Sequence, residues 1–287
     1  MTKTSETHDD SRRNFLTLAA AAPATLALAG VASAQTSASA PSALPGAGRA
    51  AVITGSSRGI GAATAKRLAR EGYAVTVNYL TNHDLAAEVV ADIEAAGGRA
   101  ILCQGDVADP VALRAVFDAN DEAFGGVDVV VAKAGIMNVG LFAQTTDEAV
   151  DRLMATNVKG SFNTLREAAR RTRDGGRIIA LSSSIIRQTP PGTGAYAASK
   201  ADQEIFVRAL SKELDGRSIS VNAVSPGAVD TQLLRQHGED ALRGIPEATP
   251  LGRLGEPEDI ADVIAMLCSE SGAWINGQNV FANGGIA

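Results

Sequence analysis

The chain has 287 residues and is 45% hydrophobic, 20% charged and 4% aromatic, with a formal net charge of −6. That apolar share excludes a disordered chain, and two cysteines exclude a disulfide-stapled miniprotein. The acidic balance excludes electrostatic capture of nucleic acid.

The N-terminus reads as an address rather than as fold. Arg12-Arg13 precedes an apolar run from Phe15 to beyond Val31, and Ala32-Ser33-Ala34 is a small-x-small cleavage site. Basic region, apolar core and cleavage site together describe a secretory signal peptide over residues 1–34. The paired arginines followed by Phe15 and Leu16 look like the twin-arginine type, which makes the protein exported and periplasmic after cleavage near Ala34; if the signal is not used, the protein stays cytoplasmic. The core is too short, and broken by Pro23, for a stable membrane anchor. Lys3, Arg12 and Arg13 leave with Glu6, Asp9 and Asp10, so the mature chain keeps the net charge of −6. Residues 35–48, rich in Ser, Ala, Thr, Pro and Gly, read as a flexible linker. Residues 49–287 read as one folded domain.

In that domain Ala50-Ala51-Val52-Ile53 is a buried strand. A helix follows over Gly59–Arg70, a strand over Ala74–Tyr79, and a helix over Leu85–Ala96 that stops at Gly97-Gly98. Arg99–Cys103 is the third strand, a helix follows Pro110, and Val127–Ala132 is an apolar strand buried on both faces. The pattern predicts one long helix over Asp147–Thr172, a strand over Arg177–Leu181, a helix over Ala195–Leu214 and a strand over Ile219–Val224. Helical segments follow Thr231 and Pro257, and Asn279–Ala282 is the last strand. Alternating strands and helices imply right-handed crossovers and a single doubly wound parallel sheet, Rossmann-type α/β, with helices on both faces. Ligands of such sheets bind beyond the carboxyl ends of the strands, where strand order reverses.

The first strand ends in Thr54-Gly55-Ser56-Ser57-Arg58-Gly59-Ile60-Gly61. Gly55 permits the tight turn, Gly59 admits a pyrophosphate to the backbone, and Gly61 allows close packing, with the helix N-terminus behind them. The same segment matches G-x-S-x-G, the nucleophile elbow of serine hydrolases. That reading needs a histidine base and an acid; the mature chain offers only His83 and His237, and nothing but linker precedes the loop. An NAD site carries an acid about 20 residues on, at the end of the second strand. Here that end reads Val77-Asn78-Tyr79-Leu80, without an acid, and Arg58 stands in the loop to meet a 2′-phosphate. Both features point to NADP(H), with NAD(H) as the alternative.

Tyr196 and Lys200 lie four residues apart on one helix face. A free tyrosine is a poor base at neutral pH, with a pKa of about 10. The ammonium one turn away and a bound cationic nicotinamide are expected to lower it. Such a tyrosine exchanges a proton with a carbonyl or alcohol oxygen while hydride moves to or from the cofactor. Ser182-Ser183-Ser184 at the end of the fifth strand offers a hydroxyl to the same oxygen.

The set of glycine loop, strand-end serine and Tyr-x-x-x-Lys resembles the short-chain dehydrogenases/reductases from about Ala50 to the C-terminus, similar to 3-oxoacyl-carrier-protein reductase and glucose dehydrogenase-like members. The likeness also rests on Gly105-Asp106-Val107, Ala155-Thr156-Asn157-Val158, Pro226-Gly227-Ala228-Val229-Asp230-Thr231, Asn276-Gly277-Gln278 and Asn283-Gly284-Gly285. It implies Tyr196 as general acid/base, Lys200 on the nicotinamide ribose, Ser183 orienting the substrate and Asn157 holding a water of a proton relay. Among the serines, Ser183, thirteen residues before Tyr196, is in the family's register. Cofactor contacts are expected from Thr54, Gly55, Ser57, Arg58, Gly59, Ile60, Gly61, Asn78, Asp106, Val107, Ala134, Gly135, Tyr196, Lys200, Pro226, Gly227, Val229 and Thr231. One departure stands out. The family usually has Asn-Asn-Ala-Gly after the fourth strand, and this chain has Ala132-Lys133-Ala134-Gly135. Either the site is remodelled there or Lys133 reaches solvent or cofactor phosphate.

The substrate pocket is expected from Met137–Phe142, Ile185–Gly194 and Val229 to about Ile245, which fits an apolar ketone or secondary alcohol. The basic Arg170, Arg171 and Arg173 suit an acidic carrier protein or, more simply, a solvated helix end. Cys103 and Cys268 are read as buried free thiols, and no cluster suggests a metal. The resemblance implies a homotetramer or homodimer. The alternative from another class is a dinucleotide-binding sensor without turnover.

Overall fold

Strands made of unbroken Ala, Val and Ile have no polar face to offer water, so both faces must be covered. The computed structural model of the protein describes residues 44–236, 238 and 242–287. The expected signal peptide and most of the expected linker lie outside the described residues. Seven strands form one parallel sheet, β1 (Ala50–Ile53), β2 (Ala74–Tyr79), β3 (Arg99–Gln104), β4 (Val127–Ala132), β5 (Thr172–Leu181), β6 (Ser220–Pro226) and β7 (Asn279–Ala282), in the order β3-β2-β1-β4-β5-β6-β7. One face packs against α1 (Gly59–Arg70), α2 (His83–Ala95) and α10 (Pro257–Cys268) through Leu68, Ile93, Ile260 and Ile264. The other packs against α3 (Pro110–Phe124), α5 (Gly160–Arg171) and α7 (Gly194–Glu213) through Leu113, Phe117, Leu165 and Val207. Short helices α4 (Asp147–Leu153), α6 (Ile185–Gln188), α8 (Gln232–Arg235) and α9 (Ile245–Ala248) lie in the connections at the carboxyl side of the strands. This is the expected doubly wound α/β fold, with strand order reversing between β1 and β4.

Two differences from the sequence pattern matter. The single long helix expected over Asp147–Thr172 is interrupted: α4 runs into a π-helical turn over Met154–Lys159 before α5 begins, and Thr172 already belongs to β5. The extra residue of a π turn rotates the side chains around it, and Asn157 is the buried residue of that turn. Apolar periodicity cannot show a one-residue insertion that keeps the helix going. The second difference lies at residues 44–48, expected as the end of a flexible linker. They form a hydrogen-bonded turn in which Gly46 N donates to Glu71 O (2.8 Å) and Arg49 N to Gly46 O (2.9 Å). A Cβ on Gly46 would stand 2.3 Å from the Tyr73 ring, so this glycine is required by close packing.

The end of β1 is tied to the end of β4 by one hydroxyl. Thr54 Oγ1 accepts from Lys133 N (3.0 Å) and Ala134 N (3.1 Å) and lies 3.3 Å from Val131 O. Thr54→Val leaves two amides at the switch point unpaired, at about 1–3 kcal/mol. Chemical denaturation of this variant is expected to show that loss with an unchanged m-value.

Candidate active site

The glycine loop is shaped by contacts that only glycine tolerates. Gly55 has φ +63°, and a Cβ there would lie 2.9 Å from Ala134 Cα. A Cβ on Gly61 would lie 2.5 Å from Gly55 O, so α1 can approach the loop closely only without a side chain there. The helix starts with no side-chain cap and no acid in its first turn. Its first N–H groups and its dipole are therefore turned to an anion rather than to the protein's own carboxylates. This geometry fits a dinucleotide pyrophosphate.

Asn78 was expected at the cofactor. Its side chain is bonded within the protein, accepting from Gly55 N (3.1 Å) and donating to Cys103 O (3.3 Å) and Gly105 O (3.0 Å). Asn78 thus sets the loop's shape. Ser56, which sequence reasoning passed over, assists it: its hydroxyl donates to Ile53 O (2.7 Å) and accepts from Asn78 N (3.0 Å). Arg58 is exposed and donates to Gln232 Oε1, bridging the glycine loop to α8. Beside it, a Cβ on Gly59 would meet Thr231 Cγ2 at 3.2 Å. Thr231 caps α8, buried Val229 precedes it, and Gly227 N donates to Ala282 O (3.0 Å). The loop after Pro226 is thereby held over the glycine loop.

Asp106 and Val107 follow β3. Asp106 Oδ1 accepts from Ala108 N (2.8 Å), and Val107 packs under Gly160, whose Cβ would lie 2.5 Å from Val107 Cγ2. Asn163 holds this turn by donating to Val107 O (2.9 Å). It was missed because an asparagine inside a helix carries no signal of its own.

The catalytic candidates converge where β4, β5 and the π turn meet α7. Tyr196 and Lys200 are buried, with Lys200 Nζ 6.0 Å from the Tyr196 ring centre. The three serines separate by geometry. Ser182 donates to Lys200 O (2.8 Å), Ser184 N donates to Pro226 O (2.8 Å), and Ser183 Oγ accepts from Ile185 N (3.3 Å) and is the hydroxyl that acts on the Tyr196 phenol. Asn157 is braced on every side: Oδ1 accepts from Ile136 N (2.8 Å), and Nδ2 donates to Ile136 O (2.9 Å) and Ser199 Oγ (2.9 Å). Its backbone carbonyl accepts from the buried Gln203 Nε2 (3.2 Å). A Cβ on Gly135 would stand 3.2 Å from Asn157 Oδ1 and 3.5 Å from Lys200 Nζ, so the glycine at the end of β4 lets these groups close up.

The lowered Tyr196 pKa was expected with a cationic nicotinamide bound; in the protein alone burial governs. Burial pushes the Tyr196 phenol up to about 12, and the Ser183 hydrogen bond opposes this. Lys200 is pulled down to about 8 by burial, against the Asp202 carboxylate. Lys200 donates to Leu181 O (2.7 Å). Its charge does not lower the tyrosine here, because the low-dielectric surroundings disfavour both charged forms.

A protein-family model described as enoyl-(acyl carrier protein) reductase matches residues 55–287. A short-chain type dehydrogenase/reductase of Picea abies is 42% identical over 83% of this chain and 92% of its own. An NADPH-dependent aldehyde reductase-like chloroplastic protein of Arabidopsis thaliana is 39% identical over 84% of this chain and 95% of its own. A solved short chain dehydrogenase of Burkholderia cenocepacia in complex with NADP superposes with a TM-score of 0.81 at 38% identity, covering 84% of this chain and 99% of that one. The chain belongs to the short-chain dehydrogenase/reductase family. It is an oxidoreductase of that family.

Two further regions border the site. The first is the expected substrate wall. Gly140 N donates to Gly192 O (2.8 Å), and a Cβ on Gly194 would lie 2.6 Å from the Phe142 ring, which is 87% exposed. The loop after β4 is thus laid against the segment leading to Tyr196, with Val139 and Leu141 exposed beside it. Part of the third expected wall, residues 237 and 239–241, lies outside the described residues. The second region is Lys133. Its backbone N is held by Thr54, and its ammonium donates to Gly55 O (3.1 Å). Lys133 therefore ties β4 to the glycine loop and does so with a charge. Burial, Lys200 and Arg58 pull its pKa down to about 8. Of the cysteines, both are free; Cys268 is buried as expected, and Cys103 is only half-buried.

A lysine whose folded pKa lies below its unfolded value of about 10.5 destabilises the fold while protonated, and that penalty fades as pH rises from about 8 to 10.5. Lys133→Asn is expected to raise the melting temperature of the cofactor-free protein at pH 7 by about 3 °C, the effect of roughly 1 kcal/mol in a domain of this size. The gain should shrink towards pH 10.

Proposed function

We propose that this protein is an NADP(H)-dependent oxidoreductase that interconverts an apolar ketone and a secondary alcohol, with Tyr196 as the general acid/base. The observation that supports it best is the convergence of buried Tyr196 and Lys200 with half-buried Ser183 in one cluster beyond β5. The dinucleotide, when bound, supplies or accepts the hydride. Tyr196 gives its proton to the carbonyl oxygen in reduction and takes it back in oxidation. Ser183, the hydroxyl that acts on the phenol, holds the same oxygen. Lys200, anchored on Leu181 O, keeps a cation at the cluster and answers the charge that forms on Tyr196. Asn157 fixes Ile136 and Ser199 around them.

The phosphate choice rests on the end of β2. No acid stands there to meet a ribose 2′-hydroxyl, Asn78 is committed to the protein, and Arg58 is exposed at the loop's mouth. The relatives bound to NADP or named for NADPH agree with this. The apolar Val139, Leu141 and Phe142 support an apolar substrate.

Export is part of the same proposal: residues 1–34 direct the folded chain through the twin-arginine route with its cofactor already bound, since NADP(H) is made in the cytoplasm. Protein purified from the periplasm is then expected to release NADP(H) on denaturation, and nucleotide-free periplasmic protein would count against loading before export.

Tyr196→Phe is expected to lower turnover by about 10²–10⁴-fold while leaving NADPH binding, read by its fluorescence, intact. The wild type should oxidise NADPH faster than NADH with a panel of apolar ketones and aldehydes. Binding without turnover across that panel would favour the sensor reading.

A further inference from the structure

Lys133 carries more than a strand-tying role. Its ammonium has three donors, and the structure gives it one acceptor, Gly55 O, on the loop that cradles the expected pyrophosphate. The charged groups that act on it are Arg58, from the glycine loop, and Lys200, from α7. Both are cations, and no carboxylate acts on it among the described residues. The polar side chains at the end of β1 and in the π turn are committed elsewhere: the Thr54 hydroxyl to backbone amides, and the Asn157 side chain to Ile136 and Ser199. Behind the loop, α1 adds its positive end without an acid in the first turn. A chain of net charge −6 thus sets Lys133 near two further cations and the N-terminus of α1, while the Asp202 carboxylate acts on Lys200 and not on Lys133.

We propose that Lys133 is a cofactor-binding residue whose missing counter-charge is the phosphate of the dinucleotide, so that cofactor binding takes up a proton at mildly alkaline pH. The proposal rests on the NADP(H) reading. An anion beside the ammonium favours its charged form. Lys133 is pulled down to about 8 without cofactor, so above that pH the free protein has lost the proton that the complex holds. Binding must then recover it, and affinity falls as pH rises. With the bound form protonated throughout, the share of Lys133 between pH 7 and pH 9 is about tenfold in Kd. Arginine in the same place keeps the charge at every pH and removes the linkage.

The test is titration of full-length wild type, Lys133→Arg and Lys133→Gln with NADPH at pH 7, 8 and 9, read by nucleotide fluorescence. Calorimetry at pH 8.5 in two buffers of different ionisation enthalpy counts protons. Thermal melts check that each variant is folded. The wild type is expected to lose about tenfold more affinity than Lys133→Arg between pH 7 and pH 9 and to take up more protons at pH 8.5. Lys133→Gln should bind NADPH more weakly than the wild type at pH 7 while melting no lower. The same pH dependence and proton count in wild type and Lys133→Arg, with tight NADPH binding, would overturn the proposal alone. If Lys133→Arg does not fold, unchanged affinity at pH 7 in Lys133→Gln overturns it. An absence of NADPH binding by the wild type at every pH would overturn the cofactor reading and this proposal with it.

Discussion

The close meeting of β1 and β4 is the constraint on which the site depends. Gly55 comes so near Ala134 that no Cβ fits between them, and the Thr54 hydroxyl holds the two amides that follow β4. From that contact one chain segment turns into the glycine loop and the other into the segment carrying Gly135 and Ile136. Parallel crossovers leave to opposite sides here, so a groove opens at the carboxyl ends of the two strands. Gly135 then admits Lys200 and Asn157 to the same groove.

The polar groups around the groove divide into those that build it and those that face it. Asn78, Ser56, Thr54, Asn157 and Asn163 are buried and bonded to neighbouring backbone or side chains. They fix loops that otherwise have little regular structure to hold them. Tyr196, Ser183, Lys200 and Lys133 are bonded less completely and carry the chemistry. In the protein alone, burial raises the phenol and lowers both lysines. That is the expected condition of a site shaped for a charged ligand, since the surroundings were desolvated before the counter-charge arrived.

Lys133 shows how a departure from a family pattern is absorbed locally. An amide at this place can both donate and accept, whereas an ammonium only donates. Here the backbone of Lys133 is held by Thr54, and its side chain needs only the Gly55 carbonyl. The strand tie survives. What changes is the charge, and it changes at the loop where an anion is expected.

The fold was legible in the sequence because strand and helix periods and glycine positions report local backbone needs. Val127–Ala132 could only be a doubly buried strand, and Gly55, Gly59 and Gly61 marked the turn into α1. Tyr196 and Lys200 were legible because four residues is one helical turn. The π turn at Met154–Lys159 was not legible, since it changes the facing of Asn157 without changing composition. Nor was the commitment of Asn78 to Gly55, Cys103 and Gly105, which brings together residues from three strands' ends. The lowering of the Tyr196 pKa was expected from Lys200 together with a bound cationic nicotinamide; in the protein alone burial raises it. Spacing determines which side chains can meet, while burial by the rest of the chain decides what charge they carry when they do.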